Sequence, residues 1–338
     1  MPPRPETWAI LANGANTQTC RGMALYGLAS NEHLPSNFTQ SLKRAKFLNA
    51  DFRDIELLNN KPHSYKAIIS MGYYPHSKPL PYEVFYSAKN GCKKIVYFIG
   101  TDVLQLLNLR FLDSEHISKH LPKNTDHIFC NAPWLQEELQ RMNIKAELLY
   151  CPVDSNFFKG NKLPDKYTIA YYTCPENHGL HNEFFIFEVA KSCPDIRWKF
   201  FGNNKNLIHV HDLPKHIEYF HQIPERKMPE FINSTSAILR ITNHDGFPGS
   251  LAEWALCERP FITNLSQMKF AQLVDVHPSK ESFILDKEKT IKKIREVQTL
   301  LKKSDFPDFL RTQRNYYKDL LEPEKFKKRI YEVCGIDE

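Results

Sequence analysis

The sequence lacks the cysteine and histidine spacings that hold metal ions. Its 8 cysteines are scattered, and no two of them have C-x-x-C spacing, which argues against a zinc site. The 14 histidines form no ligand pattern either, and His209 and His211 lie in a loop-like stretch. Cysteines in apolar runs, such as Cys130 and Cys151, are typical of buried, reduced thiols. We therefore expect no metal ion and a reducing, cytoplasmic setting.

Long apolar runs are also missing. No run reaches the roughly 18–20 residues needed to span a bilayer, and the apolar stretch of MPPRPETWAILANG is too short for a signal peptide. Strings typical of serine hydrolases, P-loop proteins and zinc metalloproteases are absent. The net charge of +6 is a modest, spread excess. It permits contact with an anionic membrane face or with DNA but requires neither.

The chain does contain two successive alternations of apolar strands and helical patterns, which predict parallel sheets covered on both faces. A polar linker over 156–166 separates a first domain, 1–155, from a second, 167–286. Residues 287–338 are predicted to be helical only and could pack back on the first domain. Helices are also predicted at about 18–30, 39–48, 82–90, 134–143, 181–192, 227–233 and 250–258. The predicted strands are 7–12, 66–71, 94–99, 126–131, 146–150, 168–173, 196–201, 217–220, 236–241 and 260–263.

The most informative segment is 237–264, in which a strand, a polar turn with glycines and a helix N-terminus follow one another. The free N–H groups and the dipole of a helix N-terminus both favour phosphate. Two carboxylates, Asp245 and Glu253, lie in this turn and helix with 7 residues between them. Phosphate alone does not need them, whereas sugar hydroxyls do, because carboxylates are strong acceptors for O–H donors. Asp245 could also be an ordinary acid of a turn, and Glu253 a helix-surface acid.

Four segments carry a family resemblance. They are Gly100-Thr101-Asp102-Val103 after a strand, residues 126–158, residues 196–202 with 221–241, and Asp245 with Glu253. Together they resemble the GT-B glycosyltransferases, and within them the retaining group usually called family 4, whose E-x7-E motif has Asp here as its first acid. The resemblance implies an α/β, GT-B fold, with two Rossmann-like doubly wound domains facing across a cleft and with C-terminal helices.

The resemblance also implies an activity. A metal-independent, hexosyltransferase-type enzyme of this family moves a sugar from a nucleotide-diphosphate sugar to an acceptor hydroxyl, with retention of configuration and without a cofactor. Glu253 would accept hydrogen bonds from the donor ribose, and Asp245 would contact the transferred sugar. Asp102 would lie near the reacting centre or an acceptor hydroxyl, although it could equally cap the helix that starts near residue 103. Asn13 and Gly14 would form a loop that approaches the donor.

Main-chain N–H groups of the turn would hold the donor diphosphate. The turn residues are Gly246, Phe247, Pro248, Gly249, Ser250 and Leu251, of which the proline has no N–H.

One departure from the family concerns this diphosphate. The family usually has an Arg and a Lys soon after the first strand of its second domain, but residues 171–183 contain neither. His178 lies about where the Lys would be, and a histidine is mostly neutral at pH 7. A diphosphate leaving group needs charge stabilisation. The nearest cations by sequence are therefore candidates, namely Arg240, Lys205 and Arg226, although Arg240 could be structural.

Two other functions stay open. Phage-type DNA glucosyltransferases are also GT-B proteins, so modified DNA is a candidate acceptor beside a glycan or a lipid-linked glycan. The missing Arg/Lys pair also fits a non-catalytic protein that binds sugar nucleotides. The basic segment 36–47 could form an amphipathic helix at the inner face of a membrane, or simply a solvated helix.

Overall fold

The computed structural model describes residues 9–12, 51–54, 67–73, 93–109, 125–173, 178–202, 213–221, 223–274 and 285–335. The chain divides into two compact units. The first unit comprises Met1–Asp154, His244–Phe247 and Leu321–Glu338, and the second comprises Ser155–Asn243 and Pro248–Leu320. Two short segments distant along the chain therefore return to the first unit.

The first unit contains a sheet of six parallel strands. Its strands are β1 (Ala9–Ala12), β2 (Asp51–Asp54), β3 (Ala67–Met71), β4 (Lys93–Phe98), β5 (His127–Cys130) and β6 (Glu147–Leu148), and its helices are α1 (Thr101–Leu109), α2 (Pro133–Arg141) and α9 (Pro323–Cys334). The strand order is β2-β1-β3-β4-β5-β6. Pro133 begins α2, a position that suits proline because the N–H it lacks would have no helical partner.

The last helix completes the core of the first unit. Phe326, Ile330 and Cys334 of α9 are buried against strand residues that include Ile95 and Phe129. At the rim of this contact, Arg329 donates to both carboxylate oxygens of Glu147, at 2.6 and 2.7 Å. The guanidinium lowers the pKa of that carboxyl below its usual value. The C-terminal residues are therefore part of the first unit by apolar burial and by a bidentate ion pair.

The second unit contains another sheet of six parallel strands, β7 (Thr168–Thr173), β8 (Arg197–Gly202), β9 (Ile217–Phe220), β10 (Ala237–Arg240), β11 (Phe261–Thr263) and β12 (Gln272–Leu273). Its helices are α3 (His178–His181), α4 (Glu183–Lys191), α5 (Met228–Asn233), α6 (Gly249–Leu256), α7 (Lys287–Leu300) and α8 (Phe306–Leu320). The strand order is β12-β11-β10-β7-β8-β9, so the winding reverses between β7 and β10.

Helices cover both faces of this second sheet. Alternate residues of a strand point to opposite faces, and on β8 the side chains of Trp198 and Phe200 lie in the core that α4 and α7 close. Phe201 points the other way and stacks on Trp254 of α6, with ring centroids 5.5 Å apart. Burial on both faces explains why the inner strands β7 and β11 contain no charged residue.

A buried arginine joins the helix ends of the second unit. Arg259 is only 1% exposed, and its guanidinium donates to the carbonyl oxygens of Thr235 (3.0 Å), Cys257 (3.1 Å) and Asn161 (3.0 Å). Thr235 and Cys257 follow the C-terminal ends of α5 and α6, where carbonyl groups lack helical partners and favour a cation. Arg259 thus fastens the C-terminal end of α6 to the segment that opens the unit.

The α/β fold class and the two doubly wound sheets are confirmed, and each predicted strand is observed within a few residues. Two further strands, β2 and β12, were not predicted. The helical segment after residue 286 divides, with α7 and α8 in the second unit and α9 in the first. The helices predicted at 18–30, 39–48 and 82–90, and the basic segment 36–47, lie outside the described residues.

Candidate functional site

The reversal of winding in the second sheet marks a place where α/β proteins bind ligands. In such sheets the crevice lies beyond the carboxyl ends of the two strands at which the strand order reverses. These strands are β7 and β10. Residues 241–248 and then α6 follow β10, so the segment that sequence analysis selected begins at this switch point.

Arg240 is the cation at the carboxyl end of β10. Its side chain is 8% exposed, and its guanidinium carbon lies 5.8 Å from the ring centroid of Tyr172 on β7. Such an arrangement is a cation–π contact, which costs less desolvation for a guanidinium than for an ammonium group. Arg240 therefore places a positive charge at the switch point. By contrast, Arg226 is exposed in a short 3-10 helix.

The N-terminus of α6 offers donors. Pro248 precedes the helix without a side-chain cap, and its carbonyl accepts from Leu251 N–H at 2.9 Å. The N–H groups of Gly249 and Ser250 have no such backbone partner among the described residues. The buried Ser250 hydroxyl likewise has no hydrogen-bond partner in that part of the chain, and a Cβ built at Gly249 meets no atom within 4 Å. Backbone donors without helical partners at a helix N-terminus suit an anion.

Glu253 lies one helical turn beyond Gly249, on the same face of α6. It is only 4% exposed, so it is not the helix-surface acid that the sequence left as an alternative. A buried acid beside an uncapped helix N-terminus can accept hydrogen bonds from the hydroxyls of a ligand whose anionic group meets that N-terminus.

Two asparagines tie together the loops at the switch point. Asn182, between α3 and α4, has φ +55°, a left-handed conformation that asparagine tolerates. Its amide nitrogen donates to Asn243 Oδ1 at 2.9 Å and to the carbonyl of Ile241 at 3.3 Å. The N–H of Asn243 in turn donates to the carbonyl of Leu180 at 2.8 Å. Sequence reasoning missed both asparagines, because neither belongs to a spacing that a motif records.

The middle of the turn, His244–Phe247, belongs to the first unit. The indole N–H of Trp134 donates to the Asp245 carbonyl at 2.6 Å. His244 Nε2 lies 2.9 Å from Glu138 Oε2, and Phe247 N–H donates to Asn131 Oδ1 at 3.1 Å. The predicted diphosphate cradle is therefore wrong at Phe247 and at Leu251, whose N–H groups already have partners. The N–H groups of Gly249 and Ser250 remain candidates for such a cradle.

Gly246 serves close packing in this unit. A Cβ added to it would lie 1.8 Å from the carbonyl oxygen of Ile99, and one added to Gly100 would lie 2.4 Å from Gly246 N. Gly100 also has φ +137°, a conformation that side chains rarely adopt. The two glycines are thus required because two stretches of backbone touch. This contact accounts for Gly246 without a ligand.

Asp102 is not the N-cap that the sequence left as an alternative, because α1 begins at Thr101, one residue before it. It is 0% exposed, and its carboxylate accepts from the backbone N–H groups of Gly100 (2.8 Å), Tyr73 (2.9 Å) and Val103 (3.0 Å). Ile99 N–H adds a longer bond of 3.2 Å. Burial raises the pKa of this carboxyl to about 6, against the lowering effect of these N–H groups. A carboxylate with no exposed surface and with oxygens engaged by backbone is not placed to touch an acceptor hydroxyl.

The remaining predicted residues lie where the structure gives no side-chain geometry. Asn13, Gly14 and Lys205 are outside the described residues, and His178 begins α3 with its side chain outside them. In the described part of the chain, no group of three or more His, Cys, Asp or Glu side chains could hold a metal ion. Of the helices described, none is both long and apolar enough to cross a membrane.

Comparison with known proteins identifies the fold through solved structures and not through sequence matches. No protein-family model and no curated protein sequence matches this chain. HepE of Anabaena, solved with UDP and glucose, matches with a TM-score of 0.65 at 9% identity, over 98% of this chain and 99% of that one. The sucrose-phosphate synthase of Thermosynechococcus elongatus matches with a TM-score of 0.63 at 12% identity, over 97% and 98% of the two chains.

A third similar structure is the pneumococcal O-GlcNAc transferase GtfA, solved with UDP and GlcNAc. Its TM-score is 0.54 at 14% identity, and the match covers 90% of this chain and 62% of that one. At such identities the likeness establishes the fold, which is GT-B as predicted.

Proposed function

We propose that this protein transfers a hexosyl group from a nucleotide-diphosphate sugar to an acceptor hydroxyl. The observation that carries the proposal is the uncapped N-terminus of α6 at the switch point of the second sheet, with buried Glu253 on the same helix face. Structures of similar fold hold UDP with glucose or with GlcNAc. A UDP-sugar is therefore the first donor to test.

The residues of the second unit would hold the nucleotide part of the donor. The N–H groups of Gly249 and Ser250 would bind the diphosphate. Arg240 would supply the positive charge that the family usually takes from its Arg/Lys pair. Because it is largely buried, it acts on the diphosphate with less dielectric screening than an exposed lysine. Glu253 would accept hydrogen bonds from the ribose hydroxyls.

In the transfer step, the bond between the anomeric carbon and the diphosphate oxygen breaks as the acceptor oxygen bonds to the same carbon. The leaving phosphate takes up the acceptor proton, so the products are a glycoside and a nucleoside diphosphate. We infer retention of configuration from the family resemblance, and Asp245 would contact the transferred sugar. A helix N-terminus and Arg240 neutralise the leaving group in this scheme, which therefore needs neither a metal ion nor a cofactor.

The first experiment measures donor binding and sugar transfer separately. UDP-, GDP-, ADP- and dTDP-glucose are compared in a thermal-shift panel, and the donor that stabilises the protein is then assayed for transfer to a glycan, a lipid-linked glycan and modified DNA. If no nucleotide sugar raises the melting temperature, the donor assignment is wrong. Binding without transfer or hydrolysis favours the non-catalytic alternative, which the missing Arg/Lys pair permits. Affinity for duplex DNA that falls steeply with salt favours modified DNA as the acceptor.

Variants then test the residues. Glu253→Gln should weaken donor binding about 10- to 100-fold, because a hydrogen bond to a charged group contributes roughly 1.5–3 kcal/mol. Glu230→Gln on α5 is the matched control, since this acid is exposed and should leave the donor affinity unchanged. Arg240→Met should lower kcat more than donor affinity, because charge on the diphosphate develops in the transition state. Equal donor affinity in Glu253→Gln and the wild type would refute the role given to Glu253.

A further inference from the structure

Three residues of the first unit hold the turn that carries Asp245. We call Asn131, Trp134 and Glu138 the turn anchor. Trp134 and Glu138 are four residues apart on α2 and therefore share one face of that helix. Asn131 lies just after β5, two residues before the helix begins. A strand end and the first turns of a helix are rigid supports, so the anchor is a fixed part of the unit.

The anchor contacts three residues of the turn, His244, Asp245 and Phe247. Glu138 pairs with the side chain of His244, Trp134 donates to the carbonyl of Asp245, and Asn131 accepts from the N–H of Phe247. The contact to Asp245 uses its main chain and not its carboxylate. The ring of Phe247 also packs edge-on against Tyr150, with centroids 5.0 Å apart.

Asp102 supports the same turn indirectly, through the backbone of Ile99 and Gly100. Its carboxylate fixes the N–H groups of Ile99 and Gly100. The backbone of these two residues is the surface on which Gly246 rests. Hydrogen bonds from the anchor therefore hold both ends of the turn, and backbone contact with Ile99 and Gly100 holds its middle, which leaves the turn little freedom to move.

We propose that Asn131, Trp134 and Glu138 are positioning residues for sugar transfer, which hold the turn so that the Asp245 carboxylate stays on the transferred sugar. The inference rests on the proposed function. It assigns the anchor an effect on the rate of transfer rather than on donor affinity, because the donor phosphates and ribose are bound elsewhere, at Gly249, Ser250 and Glu253. A misplaced reacting group lowers the rate of an enzyme even when the substrate binds normally.

The test removes one hydrogen bond at a time. Trp134→Phe keeps an aromatic ring but loses the N–H donor, and Glu138→Gln keeps a hydrogen-bond acceptor but loses the charge. Each should lower kcat by about 10- to 100-fold, with the donor KM within about twofold of the wild type. Glu137→Gln, an exposed acid of the same helix, should leave both constants unchanged. Asn131→Asp, which retains the acceptor oxygen, should restore the activity that Asn131→Leu loses.

A double-mutant cycle separates positioning from general stability. If the anchor acts through Asp245, Trp134→Phe should have no further effect on kcat once Asp245→Asn has removed the carboxylate. Hydrogen exchange of the Phe247 amide should also quicken in Asn131→Leu, and by more than that of amides in the strands of the first unit. This exchange reports on the anchor whether or not the protein has transferase activity.

The outcomes distinguish the two proposals. An active wild type with unchanged kcat in Trp134→Phe and Glu138→Gln overturns the anchor and leaves the proposed function standing. Parallel losses of kcat, donor affinity and melting temperature also overturn it, because they indicate a purely structural role. Full additivity of Trp134→Phe and Asp245→Asn does the same. A wild type that binds no nucleotide sugar refutes the proposed function, and the anchor's role in transfer with it.

Discussion

Replacing Arg259 should reveal how strongly the second unit depends on one buried cation. The guanidinium is 1% exposed and spans three segments of the unit through its carbonyl partners. Burial lowers its pKa below the usual arginine value. Arg259→Met keeps most of the side-chain volume, but it removes the charge and all of these donors. The carbonyl oxygens of Thr235, Cys257 and Asn161 then lose their arginine hydrogen bonds.

The expected loss follows from the number and kind of these bonds. Each of the three nitrogens of the guanidinium makes one bond of 3.0 or 3.1 Å. A hydrogen bond to a charged group contributes about 1.5 kcal/mol at the low end of its range, so three contribute about 4–5 kcal/mol. Removing the buried charge also relieves its desolvation penalty, which offsets part of this sum. We expect Arg259→Met to lower the free energy of unfolding by about 3 kcal/mol.

Urea denaturation followed by circular dichroism measures this loss. Arg259→Lys should recover only a small part of it, because one ammonium group cannot reach three carbonyls that a planar fork reaches together. Arg311→Met is the control, since that side chain is 58% exposed and forms a surface ion pair with Asp308; it should change stability by less than about 0.5 kcal/mol. A loss below about 1 kcal/mol in Arg259→Met would refute the reasoning that the carbonyls depend on this arginine.

Two further predictions concern the first unit. Gly246→Ala should lower the free energy of unfolding by about 1–3 kcal/mol, because its Cβ would overlap the Ile99 carbonyl and force the backbone apart. Gly249→Ala is the control, and it should be neutral or slightly stabilising because its Cβ meets no other atom. Equal melting temperatures for the two variants would contradict the predicted overlap at Gly246. Arg329→Gln should cost less than about 1 kcal/mol at pH 7, since its partner Glu147 is about one-third exposed. Because Arg329 lowers the pKa of Glu147 in the folded state, that stabilisation is present above the ordinary value of 4.5 and is lost as the pH falls further. Unfolding curves of wild type and Arg329→Gln should therefore converge in acid, and a gap that widens there would count against the pairing.

Much of the fold could be predicted because apolar runs identify buried strands. The strand over 168–173, for example, is observed with those bounds. The missed strand β2 has the sequence DFRD, whose charged residues hide it from a search for apolar runs. The missed strand β12 has only two residues. Both lie at a sheet edge, where pairing with a single neighbour, rather than burial on both faces, defines a strand.

The roles given to the site residues stay predictions. The sequence located the glycine turn before α6, and the structure shows that Glu253 on this helix is buried and is not a surface acid. The hydrogen bonds of Phe247 and Asp102 could not be predicted, because their partners are distant along the chain or are backbone groups of neighbouring loops. Sequence spacing shows which groups share an element, but it does not show which donors are already engaged.

The two successive α/β units, the position of α6 and the pair of acids around it could be read from the sequence, because they depend on local periodicity and on residue type. The partners of each group follow only from folding. It returned residues 244–247 and α9 to the first unit, enclosed Asp102 among backbone amides, and placed Arg240 beside Tyr172 at the switch point. Such roles depend on burial and on partners brought together by folding, and a hydrogen bond between residues 134 and 245 leaves no trace in either local sequence.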